Sequence, residues 1–288
     1  MTDMAAGPRK ANPPDRLDTR PPFDVRAYGL CNWRGLWTLF AREVQRFLKV
    51  STQTIMAPVV TTLLFYTIFT VALGGARGPR LVGDIPFDAF LAPGLVMMAI
   101  IQNAFANTSS SLMISKIQGN VIDVLMPPMG SLELALGFAG GGVTRGIIVG
   151  LAAAIFMMFL VPINPADIHN FGLLAYHAVA ASVMLSLLGI MAGVWDDNFD
   201  HMAAIKNFVI MPLSFLSGTF YSIERLPETW QLVAKFNPFF YMIDGFRSGF
   251  IGHGDAHPLI GIAVTAAIDL VLFALVIRMF QTGYKLKA

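Results

Sequence analysis

Cysteine is all but absent: Cys31 is the only one in 288 residues, which excludes an intrachain disulfide and any cysteine-built metal site. Charge is scarce as well. Asp, Glu, Lys and Arg make up 13 % of the chain, about half of the roughly 25 % found in soluble domains, so water is not the main solvent of this fold. No polar, mixed stretch is long enough for a separate soluble catalytic domain of about 100 to 150 residues. No G-x-x-x-x-G-K-[ST] occurs, which excludes a P-loop ATP site on this chain. The first 24 residues hold no apolar segment of about 7 to 15 residues, so a cleaved secretion signal is not expected and the first long apolar run should persist. With Pro8, Pro13, Pro14, Pro21 and Pro22 and little apolar surface to offset ordering entropy, residues 1–32 are expected to form a disordered cytoplasmic tail. No internal repeat is visible.

What the chain does have is a series of long apolar runs. A bilayer core takes about 20 apolar residues at roughly 1.5 Å rise each, and residues 52–73, 89–112, 132–160, 171–195, 203–221 and 258–280 approach or exceed that. The expected fold class is therefore an all-α membrane protein with six transmembrane helices. Residues 33–50 carry a different pattern. Trp33, Leu36, Trp37, Phe40, Val44, Phe47 and Leu48 fall on one face at 3.6 residues per turn, and Arg34, Thr38, Arg42, Arg46 and Lys49 on the other. That predicts an N-terminal interfacial helix in the headgroup layer. Between Met113 and Met126 a short amphipathic helix is expected outside the bilayer, with Ile117, Val121, Val124 and Leu125 on one face and a stop at Pro127 and Pro128. Residues 222–257 are too short and polar to cross, and are expected to dip into the outer leaflet as a re-entrant helical hairpin broken at Asn237 and Pro238, since the residue before proline leaves the helical region.

Polar residues inside the runs are the candidate functional groups. Asn103 and Asn107 share a face at i and i+4, which suits either interhelical hydrogen bonds or the lining of a substrate path. Arg145 sits in an apolar stretch longer than one crossing, so it is expected near the inner surface, with residues before about 143 in the cytosol or lining a cavity. Asp269 lies near the middle of the last run, where a charge costs about 2.5 to 3.5 kcal/mol on insertion scales. It is expected to face protein, to be protonated, or to pair with a group such as Asn103 or Asn107; a proton-relay role is the alternative. Asp196, Asp197, Asp200 and His201 form the only loop cluster with metal-ligand chemistry, and a solvated loop explains them more simply. Of the other histidines, His253 and His257 flank Gly254 and Asp255 in a polar loop.

Lys and Arg placement sets orientation. Fourteen fall on the side of the N-terminal region, Lys116, Lys206 and the C-terminal tail; five (Arg77, Arg80, Arg225, Lys235 and Arg247) fall on the other. Both termini are expected to be cytoplasmic.

The order of these elements, together with FLAPGLVMM at 90–98, GGGVTRG at 140–146, FLSGTFYSIERL at 215–226 and FNPFFYMIDGFRSGF at 236–250, resembles the ABC-2 type permeases of bacterial ABC exporters, in the branch that includes drug-resistance, nodulation-factor and polysaccharide exporters. The resemblance spans about residues 33–284. It implies a permease subunit of the inner membrane that is not itself an enzyme, works as a dimer with a second copy, and exports an amphipathic, lipid-like or glycoconjugate substrate or a drug. It binds no cofactor; ATP and Mg would sit on a separate ABC ATP-binding subunit. By the same resemblance Ile117, Val121, Val124 and Leu125 would belong to a cytoplasmic coupling helix docking on that subunit, aided by Arg42, Glu43 and Arg46 of the interfacial helix. Phe220, Tyr221, Trp230, Asn237, Tyr241 and Arg247 would line the pathway or its outer gate, Arg247 bonding either a lipid phosphate or a helix end. The remaining partners are membrane lipids, with no nucleic acid. The alternative function is a secondary transporter using Asp269 as its coupling carboxylate.

Overall fold

The structure, a computed structural model, describes residues 31–74, 81–82, 85–120, 123, 127–160, 168–196, 198–283 and 285. The expected tail therefore lies outside the described residues up to position 30. Its expected end at 32 needs correction: the Asn32 side chain accepts a bond from the Gly35 amide at 3.0 Å and caps the first helix, leaving the Asn32 backbone N–H for Glu133.

The first helix, α1, covers Trp33–Leu48. The face it turns to the bundle is narrower than the apolar stripe predicts: Leu39, Glu43 and Phe47, spaced four apart, are its buried residues, while Trp33 and Trp37 are exposed. The glycine-rich segment that opposes α1 selects this face, because only there can the two backbones approach closely. A π-helical turn, Thr52–Met56, leads into α2 (Ala57–Gly74). A short antiparallel ribbon of β1 (Leu81–Val82) and β2 (Ile85–Pro86) then precedes α3 (Phe87–Ile117).

At 31 residues, or about 46 Å at 1.5 Å per residue, α3 runs five residues beyond its expected end and takes up the start of the segment read as a separate amphipathic helix. Turn residues 118–120 follow, with Gly119 at φ +71°. Val121, Val124 and Leu125 lie outside the described residues. Next come α4 (Ser131–Met157) and α5 (Phe171–Trp195). Residues 199–216 form one helical run in three pieces, α6 (Phe199–Ile205), a π-helical segment (Lys206–Ile210) and α7 (Met211–Leu216). This run ends five residues short of the expected boundary at 221, because Gly218 takes a left-handed turn at φ +78°. The chain continues through α8 (Glu228–Phe236), α9 (Pro238–Ile251) and α10 (Pro258–Thr282).

Among the described residues, five helical segments are long and apolar enough to cross a membrane: 52–72, α3, α4, α5 and α10. The protein is thus an all-α membrane protein. α3 is the central post, packed on both α4 and α5 and with Phe90, Leu91, Met97, Ile101 and Phe105 in the core. The segment 52–72 and α10 are peripheral and keep most of their apolar surface outward, where the hydrocarbon of a bilayer solvates it without exposing any backbone group.

Candidate functional site

Three polar constructions interrupt this apolar bundle. At the inner junction of α1, α3 and α4, Glu43 is fully buried, with Arg42 Nη2 3.5 Å and Arg46 Nη2 3.3 Å from its two carboxylate oxygens. Arg46 also donates to the Asn107 carbonyl at 2.7 Å, to Asn107 Oδ1 at 2.9 Å and to Ser110 Oγ at 3.3 Å. Glu43 therefore cannot be part of a docking surface as the resemblance implies. Its carboxylate instead orients Arg46, whose bonds to Asn107 and Ser110 tie α1 to α3, and Arg42 is the member of the trio that reaches solvent most. Ile117, at the end of α3, is exposed.

On the other side of α3, a cavity of about 800 Å³ lies between α2, α3, α4 and the 199–216 run. Its lining brings the polar Arg46, Arg145, Lys206, Gln102 and Asn103 together with the apolar Phe65, Leu95, Met98 and Met211. Arg145 donates to Asn103 Oδ1 at 3.1 Å, and its Nε is buried with no partner among the described residues. Lys206 makes no hydrogen bond or ion pair among the described residues, and no carboxylate lines the cavity. A cation costs about 2.5 to 3.5 kcal/mol at the centre of a bilayer, which makes a cavity lined by two without a carboxylate partner among the described residues the candidate site. The residues before 143 do not project freely: Leu134, Ala135, Gly137 and Phe138 are buried in the bundle.

The third construction closes the other end. Asn237, between α8 and α9, accepts from the Phe239 amide at 3.0 Å and donates to the Leu213 carbonyl at 2.7 Å, so one side chain breaks the hairpin, caps α9 and ties it to α7. Arg247 is buried, 1 % exposed. It donates to the Gly218 carbonyl at 2.6 Å, stacks over Phe90 at 3.9 Å, and has Nη1 3.9 Å from Asp244 Oδ1. Of its two expected partners, the structure shows a carbonyl just past a helix end. Asp244 accepts from the amides of Asp255 and Ala256, both at 2.8 Å; Asp255 in turn accepts from Ser222 Oγ and the Ile223 amide. Phe220 packs on Phe69 and Phe215 at 4.5 and 5.3 Å. Tyr241 packs on Phe240 at 5.0 Å, Tyr221 is half-buried and Trp230 is exposed.

Replacing Asn237 by alanine should cost about 1 to 2 kcal/mol, the range of a lost helix cap plus one unpaired carbonyl. N237D, which keeps the acceptor and loses the donor, should fall between. Thermal unfolding in detergent, followed by tryptophan fluorescence, measures both, and an N237A melt superimposable on the parent would contradict the tie to α7.

Of the three outcomes expected for Asp269, pairing with Asn103 or Asn107 is not seen. Asn103 Oδ1 is taken by Arg145 and Asn107 Oδ1 by Arg46, and Asp269 Oδ1 is buried with no partner among the described residues. Asp196 Oδ1 lies 2.9 Å from His201 Nδ1; Asp197 is outside the described residues. No group of three or more metal-ligating side chains converges among the described residues. Two participants were not singled out from sequence. Asp244 had a readable signal, three residues before Arg247 in an otherwise apolar helix. Lys206 had none, since its neighbour Arg145 is 61 positions away.

The sequence model of the family described as ABC-2 type transporter matches residues 34–251. The chain is 36 % identical over 260 residues to the inner membrane transport permease YadH of Escherichia coli K12, covering 89 % of this chain and 98 % of that one. It is 24 % identical over 251 residues to nodulation protein J of Rhizobium leguminosarum bv. viciae, covering 85 % and 92 %.

Proposed function

The chain belongs to the ABC-2 type transporter family, and from that premise we propose that it is the inner-membrane permease subunit of an ATP-driven exporter. The observation that carries this reading is the family match over most of a chain that has no P-loop of its own: transport needs an energy source, and the source must be another subunit. In this reading two permease copies pair with two ATP-binding subunits, which hold ATP and Mg. The 199–216 run is the sixth crossing; its 18 residues give about 27 Å, close to the hydrocarbon thickness of about 30 Å. Both termini are cytoplasmic, as the Lys and Arg distribution favours, which puts the α1 junction and the end of α3 inside and the 217–257 region outside.

The end of α3 and the residues after it then form the coupling element. A rigid 31-residue helix ending at an exposed Ile117 can carry a motion imposed on its tip into the bundle core. Replacing Val121 and Leu125 by aspartate should abolish recovery of the ATP-binding subunit while leaving membrane insertion intact, since neither residue lies in a crossing. Affinity purification in mild detergent reads this, and normal complex formation by V121D/L125D would remove the coupling assignment.

The substrate in this reading is an amphiphile, because the lining of the cavity of about 800 Å³ combines cations with apolar side chains. Purification of the tagged chain from native membranes, with protein identification and a vanadate-sensitive ATPase assay, tests the whole. One observation favours a second reading, secondary transport: the orphaned Asp269 carboxylate in α10. Recovery of a homomer without ATPase, with uptake lost in D269N, would decide for it.

A further inference from the structure

We propose that the cavity between α2, α3, α4 and the 199–216 run is a binding site for an amphiphile with an oxyanion head group, held by Arg145 and Lys206. This deepens the permease reading and rests on it for the meaning of the cavity as a substrate site.

The charge balance of the cavity points to the ligand. Three cations reach it: Arg46, Arg145 and Lys206. Arg46 already has Glu43 as counter-ion and Asn107 as acceptor. Arg145 has one neutral acceptor, Asn103 Oδ1, and a buried Nε with no partner. Lys206 has no hydrogen bond or ion pair among the described residues. The three repel one another, Arg46 acting on Arg145 and Arg145 on Lys206. Arg145 and Lys206, with no carboxylate partner among the described residues, would be stabilised by an anion held between them. Guanidinium presents a planar fork that matches phosphate or carboxylate oxygens in pairs, and an ammonium adds a point charge beside it.

The rest of the cavity supplies the tail site. From the cationic end the lining runs along α3 from Gln102 and Asn103 to Met98 and Leu95, with Phe65 of α2 and Met211 of α7 opposite. An acyl chain lying there would replace water on apolar surface. Snorkelling of two long side chains toward the cytosolic face is the competing account of their position. It does not explain why Arg145, fifteenth of the 27 residues of α4, turns across the bundle to Asn103. Snorkelling predicts no preference among ligands.

The test uses the full chain purified in detergent, without nucleotide or partner, and equal concentrations of dihexanoyl phosphatidate and dihexanoyl phosphatidylcholine, with retention read by native mass spectrometry. Phosphatidate should be retained at least about tenfold better, the expected scale of a charge-assisted contact. R145Q/K206Q should bring the two within about twofold, while R145K/K206R keeps the preference. If R145Q fails to fold, K206Q alone, which removes no hydrogen bond of the described structure, should reduce the preference. Equal retention of both lipids by the parent chain, or a preference unchanged in the glutamine variants, would overturn the proposal. Inorganic phosphate displacing phosphatidate at equal concentration would overturn the amphiphile half, because the apolar end would then contribute nothing. The export reading fails separately, if no ATP-binding subunit is recovered, and that outcome does not touch this binding measurement.

Discussion

Arg247→Leu is expected to destabilise the α9 end of the bundle by about 3 to 5 kcal/mol, the usual cost of removing one partner from a buried ion pair. The leucine would remain buried, but three interactions would be lost together. The Gly218 carbonyl would lose its donor at 2.6 Å, the Phe90 ring its cation at 3.9 Å, and Asp244 its nearest cation. The Asp244 carboxylate, 1 % exposed, would keep only the amides of Asp255 and Ala256. R247K should recover little, because one ammonium cannot stack on Phe90 and reach both Gly218 and Asp244 as a guanidinium fork does. D244N should cost less than R247L, since an amide oxygen still accepts one of the two backbone bonds. Combining R247L with D244N should cost less than the sum of the two, because the double variant leaves no orphaned charge. Thermal unfolding in detergent gives the order. An R247L melt within experimental error of the parent would show that the network does not hold α9 to the core.

The same region shows what sequence can and cannot give. Five of the six expected crossings were legible because each is a run long enough to span a bilayer, and α5 begins and ends where its run does, at Phe171 and Trp195. The break at Asn237 was legible because proline constrains the residue before it. The role of Glu43 was not. On a helical wheel it sits beside Arg42 and Arg46 and reads as part of a charged outer face, whereas it is the most buried group of α1. What reverses it is the absence of side chains on α4 opposite, a tertiary fact. The pairing of Arg145 with Lys206 in one cavity was hidden for a similar reason, since sequence distance carries no information on which helices meet. Of the outcomes expected for Asp269, pairing with Asn103 or Asn107 is not seen, although the Asn107 side-chain amide has no acceptor among the described residues; which helix faces meet is again a tertiary fact.

Gly142→Val is expected to be among the most damaging single changes inside the bundle, and the reason lies in how α4 meets its neighbours. A Cβ at Gly142 would stand 2.3 Å from Ser186 Oγ on α5 and 2.7 Å from Thr108 Cγ2 on α3; at Gly141 it would stand 2.5 Å from Glu43 Cβ on α1. Three helices thus close on two adjacent glycines, in the manner of small-residue interfaces in membranes. Valine brings two further methyls to a contact already too short for one carbon. Relief requires α4 to move away from α3 and α5 together, which also separates Leu39 and Phe138 from their core cluster. Overpacking in a close-packed interior costs about 1 to 3 kcal/mol and sometimes more, and here two interfaces are affected at once, so G142V should yield little folded protein. G142A should be intermediate and partly rescued by S186G, because Ser186 Oγ has no hydrogen-bond partner to lose and its removal opens the space. G172A is the control. Its Cβ meets only Asn170 Oδ1 at 3.4 Å, and alanine is favoured over glycine in a helix by about 0.8 to 1.0 kcal/mol, so it should be neutral or slightly stabilising. Folded yield by size-exclusion chromatography and thermal midpoint should rank G172A at or above the parent, then G142A/S186G, G142A and G142V. A G142V protein that elutes and melts like the parent would mean that these helices do not pack this closely in the membrane.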